Sequence, residues 1–470
     1  MSADSEKTVQ KNFAALGAGE ALARLIAFGS TVYLARTLGP GAYGVIGLAT
    51  AVLLYFTYLA DCGIETLGVR EIAADHTRVH TLAPAVLSLR LTVAAILAVV
   101  VAAGGLLLLP QPDGAILAVY GLTLLGVGAN TRWIHIGLED AGRVAMARIA
   151  GESTMVLLVI LLVRSAGDLA RVPLAQFTGD MLAMTLLALW LRKRGASLRL
   201  RWDLASAGPV FRRAFPLVLH ALLGLMIYNS DLIFLRAFQT AADVGYYVAA
   251  YTLISFLLNL GIAYSQSLLP TLTRLAPEPA RQQALYQTAM AQVFAAAFPL
   301  AVGGFLLAPG IIRFVFGPGY ERGIVALQVL IWTIPVAFYR NVPQMALIAA
   351  GRQDRVLRIT FASAMLNLAL NIFIIPVYGM VGAAAATLGT EVVRTALALF
   401  FASREGFSFP TFSRLWRTLI AGTGMAGALY LVASRGLWLS LLAGVTTYVL
   451  LLLAVGGISA RRGSAPALTV

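Results

Sequence analysis

The sequence predicts an all-α integral membrane protein with about fourteen transmembrane helices, arranged as two pseudo-symmetric six-helix lobes plus two C-terminal helices. Hydrophobic residues make up 59% of the 470 residues, charged residues 12%, and the mean hydropathy is +0.83. Soluble domains carry about 25% charged residues. Apolar runs of about 20 residues recur along the chain, which is the length that a helix needs to cross roughly 30 Å of hydrocarbon. In addition, the two halves of the chain resemble each other.

Hydropathy, read together with turn and charge signals, gives the limits of the helices in chain order. These limits are 13–35, 42–67, 84–109, 114–137, 144–163, 172–191, 214–237, 244–269, 286–308, 323–349, 356–376, 379–402, 416–434 and 437–459. The first run is longer than a signal-peptide core, so we expect it to be retained as a helix. The predicted domains are an N-terminal lobe over 1–191, a basic cytoplasmic linker over 192–213, a C-terminal lobe over 214–402, and the last two helices with the tail over 403–470.

The distribution of basic residues predicts the orientation of the chain. If the N-terminus is cytoplasmic, 22 of the 35 lysines and arginines fall in cytoplasmic segments and seven fall on the opposite face or its border. Short cytoplasmic loops are enriched in Lys and Arg, so both termini are predicted to be cytoplasmic. The same asymmetry explains the net charge of +14 without a nucleic-acid partner. One cysteine and four histidines without a metal-binding spacing predict no metal site and no cofactor.

A weak internal repeat relates the two halves of the chain. The segment "YLARTLGPGAYGVIGLATAVLLYFTYLADCG" aligns with "IFLRAFQTAADVGYYVAAYTLISFLLNLG", which matches Arg36 with Arg236. The segment "IGLEDAGRVAMARI" aligns with "IAAGRQDRVLRI", which matches Arg143 with Arg355. One duplication of about six helices explains both matches, and the matched helices run in the same direction. Such parallel repeats are related by an axis along the membrane normal, with a binding site at their interface.

Several segments of the sequence resemble those of a known family. "ARTLGPGAYGVIGLA" and "DCGIETLGVREIA" in the first half, and "VGYYVAAY", "FGPGY", "AAGRQDRVL" and "LNLALNIFIIPVYGMVGAAAAT" in the second, are similar to the polysaccharide-transport flippases of the multidrug, oligosaccharidyl-lipid and polysaccharide exporter superfamily. The resemblance implies alternating-access transport of a polyprenyl-diphosphate-linked oligosaccharide across a bacterial inner membrane. It also implies membrane lipids and polysaccharide polymerase machinery as partners, and a central cavity bounded by helices one, two, seven and eight.

Other functions remain open because fold does not fix substrate. A peptidoglycan lipid-precursor flippase or a cation/drug antiporter would share the architecture, although an antiporter needs an acidic cavity, against which Arg24 argues. A membrane-embedded polysaccharide enzyme would need a sizeable outer loop with paired carboxylates, whereas "PQPDG" and "FGPGYERG" are short and acid-poor. We therefore expect no enzymatic activity. No GxxxxGK[ST] motif occurs, which leaves H⁺ or Na⁺ gradients, the membrane potential or product removal as energy sources.

Glu20 and Arg24 place two charges inside the first predicted span. A charge at mid-membrane costs about 2.5 to 3.5 kcal/mol, so such residues usually face a partner or a wet interior. Their i, i+4 spacing favours an ion pair that only fixes packing. The alternative is that Arg24 lines a water-filled cavity, where its planar guanidinium group binds the phosphates of the cargo through two N–H donors. In that case Glu20 holds the Arg24 side chain in place or carries a coupling cation.

Three further residues complete the predicted substrate-binding set of the central cavity. Asn259 and Gln266 in helix eight suit sugar hydroxyls, and Arg340, between two prolines of helix ten, is a second candidate for anion contact. The simpler interpretation is that these three side chains only form hydrogen bonds or ion pairs with neighbouring helices.

The ion-coupling candidates are Asp231, Asp61 and Glu65. Asp231 lies in "YNSDLIF", where a carboxyl group away from water is suited to exchanging a proton or a cation. A neighbouring helix could equally satisfy it. Asp61 and Glu65 lie near the inner end of helix two, where they could bind a cation at an inner gate or simply face water.

Overall fold

The described residues of the computed structural model are 3–195, 200–202, 204–409, 412–432, 435–456, 458–459 and 467–468. This part of the chain holds 12 helical segments that are long and apolar enough to cross a membrane. Two of them, Gly19–Asp61 with 43 residues and Gln353–Ser403 with 51, are about twice as long as one span requires. Counting each as two spans gives fourteen, which confirms the predicted multi-pass, all-α class.

The first compact unit covers Met1–Leu225. Its helices are α1 Ala3–Asp61, α2 Ile64–Ala74, α3 Val79–Leu108, α4 Asp113–Gly121, α5 Thr123–Ala129, α6 Arg132–Gly137, α7 Ala141–Leu162, α8 Arg171–Lys193 and the first part of α9 Leu204–Phe238. Short 3₁₀ turns cover His76–Arg78 and Ala166–Asp168. Residues 196–199 and 203 of the predicted linker lie outside the described residues, and α9 makes the end of that linker helical.

The second compact unit covers Met226–Val470. It holds the rest of α9, then α10 Ala241–Arg274, α11 Pro279–Phe316, a 3₁₀ turn over Pro318–Gly323, α12 Ile324–Leu330, α13 Thr333–Ala349, α14 Gln353–Ser403, α15 Phe412–Val432 and α16 Leu437–Ala454. Strand β1 Ile458–Ser459 pairs antiparallel with β2 Ala467–Leu468. Of the C-terminal tail, residues 457, 460–466 and 469–470 lie outside the described part.

Glycines separate the paired spans that run together in α1 and α14. Gly39 has φ 72 and ψ 170, and Gly379 has φ 54 and ψ −134, so neither is helical. Side chains with a Cβ rarely adopt such angles, whereas glycine does so at little cost. Pro40 adds to the break in α1, because a residue before proline avoids the helical region. Both helices are therefore kinked at these positions, and no loop separates the two helical segments of either.

We expect Gly39→Ala to destabilise the first unit by about 1 to 3 kcal/mol, the usual cost of a strained backbone conformation. Gly41→Ala is the matched control: its backbone angle is not in the left-handed region, and an added Cβ would meet nothing within 4 Å. Thermal denaturation of both purified variants in detergent measures the difference. Equal midpoints for the two variants would show that the angle at Gly39 carries no strain.

Three predicted spans are interrupted, which corrects their limits. Helix two ends at Asp61 rather than at residue 67, because Cys62 and Gly63 have φ 57 and 67. Helix four divides into α4, α5 and α6, and the Asn130 side chain accepts the Arg132 amide at 2.8 Å beside the second break. Helix ten divides into α12 and α13. Hydropathy averages over a window and therefore does not register a change of backbone angle at one or two residues.

Candidate functional site

The first unit encloses a cavity of about 520 Å³ with an unusual number of arginines in its wall. We call it the arginine cavity. Its charged lining residues are Arg24, Asp61, Glu65, Arg90, Arg132 and Arg148, contributed by α1, α2, α3, α6 and α7. The structure thus brings three predicted residues together with three arginines that the sequence hypothesis did not assign to a site. Tyr58, Asn130 and Trp133 supply polar and aromatic lining between them.

Arg24 and Glu20 form the predicted ion pair at the surface of this cavity. The Arg24 Nε lies 3.1 Å from Glu20 Oε1, and the Arg24 side chain is 48% exposed. A guanidinium group carries five N–H donors, so a single contact of this kind leaves donors for a ligand. Pairing and cavity lining, which the sequence presented as alternatives, therefore occur together at Arg24.

Two more arginines of the cavity repeat this arrangement. The Arg132 Nε lies 3.4 Å from Glu65 Oε1, and the Arg148 Nη2 lies 2.9 Å from Glu152 Oε1. Both arginine side chains are partly exposed. Each of these partly exposed arginines thus has one carboxylate beside it, which limits the free-energy cost of positive charge in a membrane-spanning protein and leaves the guanidinium accessible.

Arg90 differs from the other arginines because it is only 3% exposed and both of its terminal nitrogens donate hydrogen bonds. Its Nη2 donates to Asp61 Oδ1 at 2.8 Å and to the Val127 carbonyl at 2.8 Å, and its Nη1 donates to the Asn130 carbonyl at 3.1 Å. These carbonyls lie where α5 ends, and the Val127 carbonyl also accepts the Asn130 amide at 3.3 Å. Arg90 therefore fixes the last residue of α1 to the break between α5 and α6, which shapes the cavity wall.

We expect Arg90→Met to destabilise the protein by about 3 kcal/mol or more, because removing one partner of a buried pair leaves the Asp61 charge uncompensated. The double variant Arg90→Met/Asp61→Leu should recover part of the loss, since it removes that charge. Arg281→Met, which disrupts the exposed pair with Glu278, is the control and should cost less than about 1 kcal/mol. Thermal midpoints test the order; a double variant less stable than the single one would contradict it.

Arg340 belongs to a buried ionic network in the second unit. Its Nε donates to Glu391 Oε2 at 3.0 Å and its Nη1 to Gln344 Oε1 at 2.5 Å. Glu391 also accepts from Arg394 at 3.2 Å and from the Tyr228 hydroxyl at 2.7 Å. The i, i+3 pair of Glu391 and Arg394 is present, but Arg340 joins it from another helix.

Asp231 is 0% exposed and is held by neutral donors. Its Oδ2 accepts from the Tyr247 hydroxyl and, at 3.4 Å, from Thr387 Oγ1, while its Oδ1 accepts the Leu232 amide at 2.9 Å. No ion pair to Asp231 is formed by any residue that the structure describes. A carboxyl group in this setting keeps the capacity to take up a proton or a cation.

Amide oxygens extend the polar cluster around the neighbouring Ser230. Asn371 Nδ2 donates to Ser230 Oγ and to Asn367 Oδ1, both at 3.0 Å, and Ser230 Oγ donates to Asn367 Oδ1 at 3.1 Å. The Asn371 Oδ1 is buried without a hydrogen-bond partner among the described residues. Hard cations are bound by carboxylate, amide and hydroxyl oxygens, which are the groups present here.

The remaining predicted residues do not all lie at one site. Asn259 and Arg340 both line a smaller cavity of about 150 Å³ in the second unit. Gln266 is exposed and lies outside the lining of both cavities.

The sequence hypothesis missed Arg90, Arg132 and Arg148 as members of one site. The signal that could have found them is the cost of an arginine inside an apolar span, which applies to each of them as much as to Arg24.

The fold and the sequence are similar to those of known transporters. At 27% identity, 48% of this chain aligns with 50% of the "Probable flippase AglR" of Haloferax volcanii, so the match spans about half of that protein. At 22% identity, 78% of this chain aligns with 90% of the "Putative O-antigen transporter" of Escherichia coli (strain K12). The solved structure of the lipid II flippase MurJ in an inward closed conformation covers 94% of this chain with a TM-score of 0.79 and 12% identity, and the match covers 98% of MurJ. At that identity the likeness shows a shared fold.

The family described as "Polysaccharide biosynthesis protein" matches residues 9–276. This range includes three of the segments that resemble the family, from "ARTLGPGAYGVIGLA" to "VGYYVAAY". Because it covers more than half of the sequence and agrees with the fold, the chain belongs to the polysaccharide biosynthesis protein family.

Proposed function

We propose that the protein is a flippase that moves a polyprenyl-diphosphate-linked oligosaccharide across the bacterial inner membrane by alternating access, with both termini cytoplasmic. The family, and relatives named as a flippase and an O-antigen transporter, support this function. The observation that carries it is the arginine cavity, since four arginines in one intramembrane wall suit an anionic headgroup and not a cationic drug.

The partly exposed Arg24, Arg132 and Arg148 are the residues that would bind the diphosphate. Arginine binds phosphate oxygens with two parallel N–H donors and keeps its charge in every conformation. The carboxylates beside these arginines, Glu20 and Glu65 among them, would compensate the charge while the cavity holds no cargo. When the phosphates bind, each guanidinium exchanges part of its carboxylate contact for a phosphate contact. Because one contact replaces another, the cargo can both bind and dissociate.

The protein would act as a transporter without chemical conversion of the cargo, and Asp231 would couple it to an H⁺ or Na⁺ gradient. The complete burial of Asp231 and the oxygen-rich groups that surround it support this role. Asp61 and Glu65 would offer a second cation site at the arginine cavity. Asn259, Gln266 and Arg340 remain proposed cargo contacts of the second unit, and polysaccharide polymerase machinery is the proposed recipient of the product.

Reconstitution of the purified protein in proteoliposomes tests the function. Lipid-diphosphate-linked oligosaccharide is incorporated into both leaflets, and a membrane-impermeant lectin or oxidant added outside measures how fast the inner-leaflet pool becomes accessible. Protein-dependent movement of this lipid supports the proposal. Transport of cationic dyes together with no response to lipid diphosphates would reject it in favour of an antiporter.

A further inference from the structure

The second unit contains a cavity whose lining differs from that of the arginine cavity. It measures about 150 Å³ and is lined by Tyr228, Tyr251, Asn259, Arg340 and Asn341, with Ser255 and apolar side chains between them. We call it the tyrosine–asparagine cavity. We propose that it binds one sugar ring of the transported oligosaccharide; this inference rests on the proposed function and assigns the glycan, rather than the diphosphate, to the second unit.

Two asparagines supply unused hydrogen-bonding groups. Asn341 is 6% exposed and lines the cavity, and its side-chain amide forms no hydrogen bond to another described residue. Asn259 donates from Nδ2 to the Ser255 carbonyl at 2.7 Å, which leaves its Oδ1 as an acceptor at the cavity. The free Asn341 amide and the free Asn259 oxygen are both accessible from the cavity, so they can bond a ligand that carries several donors and acceptors. A ring of hydroxyl groups meets that description.

The two tyrosines supply rigid apolar surface in the same wall. The Tyr228 hydroxyl is bound to Glu391 at 2.7 Å, so the carbon atoms of its ring are what it offers to a ligand. Tyr251 stacks on Tyr247 with ring centroids 6.1 Å apart and an interplanar angle of 10°, which restricts its orientation. A pyranose combines an apolar face of C–H groups with a rim of hydroxyls, and aromatic rings beside amides complement both parts.

Arg340 lies in this wall with its guanidinium held by neighbouring side chains. It is 5% exposed and pairs with Glu391 at 3.0 Å, in contrast to the partly exposed Arg24 of the arginine cavity. Its bonds to Glu391 and Gln344 use two of the five N–H donors of the guanidinium, so donors remain for a sugar oxygen. A volume of about 150 Å³ is of the order of one sugar ring and too small for a chain of several sugars.

Saturation-transfer NMR on the full chain in lipid nanodiscs tests the proposal. The probes are the methyl glycosides of glucose, galactose, mannose, rhamnose and N-acetylglucosamine. We expect transfer to the ring protons of at least one of them, and at least a threefold reduction in Asn341→Leu and in Tyr251→Leu. Tyr378→Leu, at a side chain that is 67% exposed and outside the cavity, should leave the signal unchanged.

A second variant and a second ligand keep the outcome interpretable. Asn259→Leu changes an exposed position, so it should fold even if Asn341→Leu does not, and it should weaken the same signal. Inorganic pyrophosphate binding, measured by calorimetry, should persist in all three cavity variants and fall in Arg24→Ala. If pyrophosphate binds but no glycoside does, or if glycoside transfer is unaffected by the variants, the sugar site is wrong while the proposed function stands. Loss of lipid transport in the parent protein would instead reject the function.

Discussion

Replacing Arg24 with alanine should reduce the transport of lipid-diphosphate-linked oligosaccharide by about ten- to hundredfold. The variant loses charge-assisted hydrogen bonds to phosphate, which are worth about 1.5 to 3 kcal/mol, and 1.4 kcal/mol corresponds to a factor of ten. Arg24→Lys keeps the charge but loses the bidentate hydrogen bonding of the guanidinium to phosphate, so we expect an intermediate transport rate. The proteoliposome assay measures both variants against the parent protein at equal amounts of inserted protein.

Three comparisons separate cargo binding from packing. Arg281→Ala removes an exposed arginine of an ion pair in the second unit and should transport at the parent rate. Glu20→Gln removes the intrahelical partner of Arg24 and should lower thermal stability little, because the pair is partly exposed. Pyrophosphate affinity should fall in Arg24→Ala and persist in Glu20→Gln. Transport at the parent rate by both Arg24 variants would show that the pair serves packing alone.

Asp231→Asn should abolish the acceleration of transport by an imposed ion gradient. Asparagine keeps the shape of the side chain but neither releases a proton nor supplies a carboxylate to a cation. Coupling free energies of 1 to 3 kcal/mol correspond to roughly five- to 150-fold, which is the range of stimulation that we expect to disappear. Transport is measured with an H⁺ gradient and, separately, with a Na⁺ gradient, and the gradient that stimulates the parent but not the variant identifies the ion.

The Asp231 experiment needs a control for structural damage, because Asp231 also accepts hydrogen bonds from Tyr247 and Thr387. Tyr247→Phe removes one of those bonds and leaves the carboxylate in place, so it should lower stability while preserving some stimulation. Asp354→Asn changes an exposed carboxylate of the same unit and should behave as the parent. Full gradient stimulation in Asp231→Asn would exclude this residue as the coupling group.

Features that depend on local sequence could be predicted correctly. Apolar runs of the right length located fourteen spans because the hydrocarbon thickness fixes the length of a crossing helix. The i, i+4 spacing of Glu20 and Arg24 predicted their ion pair, since helix geometry alone brings such residues together. The phrases of the first half likewise sufficed to predict the family.

The tertiary structure decided which of the charges inside the spans act together. Arg132 and Arg148 lie on different helices from Arg24, yet they share one cavity with it, and Arg340 reaches Glu391 across 51 positions of sequence. Single-residue changes of backbone angle, as at Gly63, also set where helices end. The physical reason is that hydropathy and spacing report the cost of a charge within its own helix, whereas its partner and its access to a cavity depend on how neighbouring helices pack.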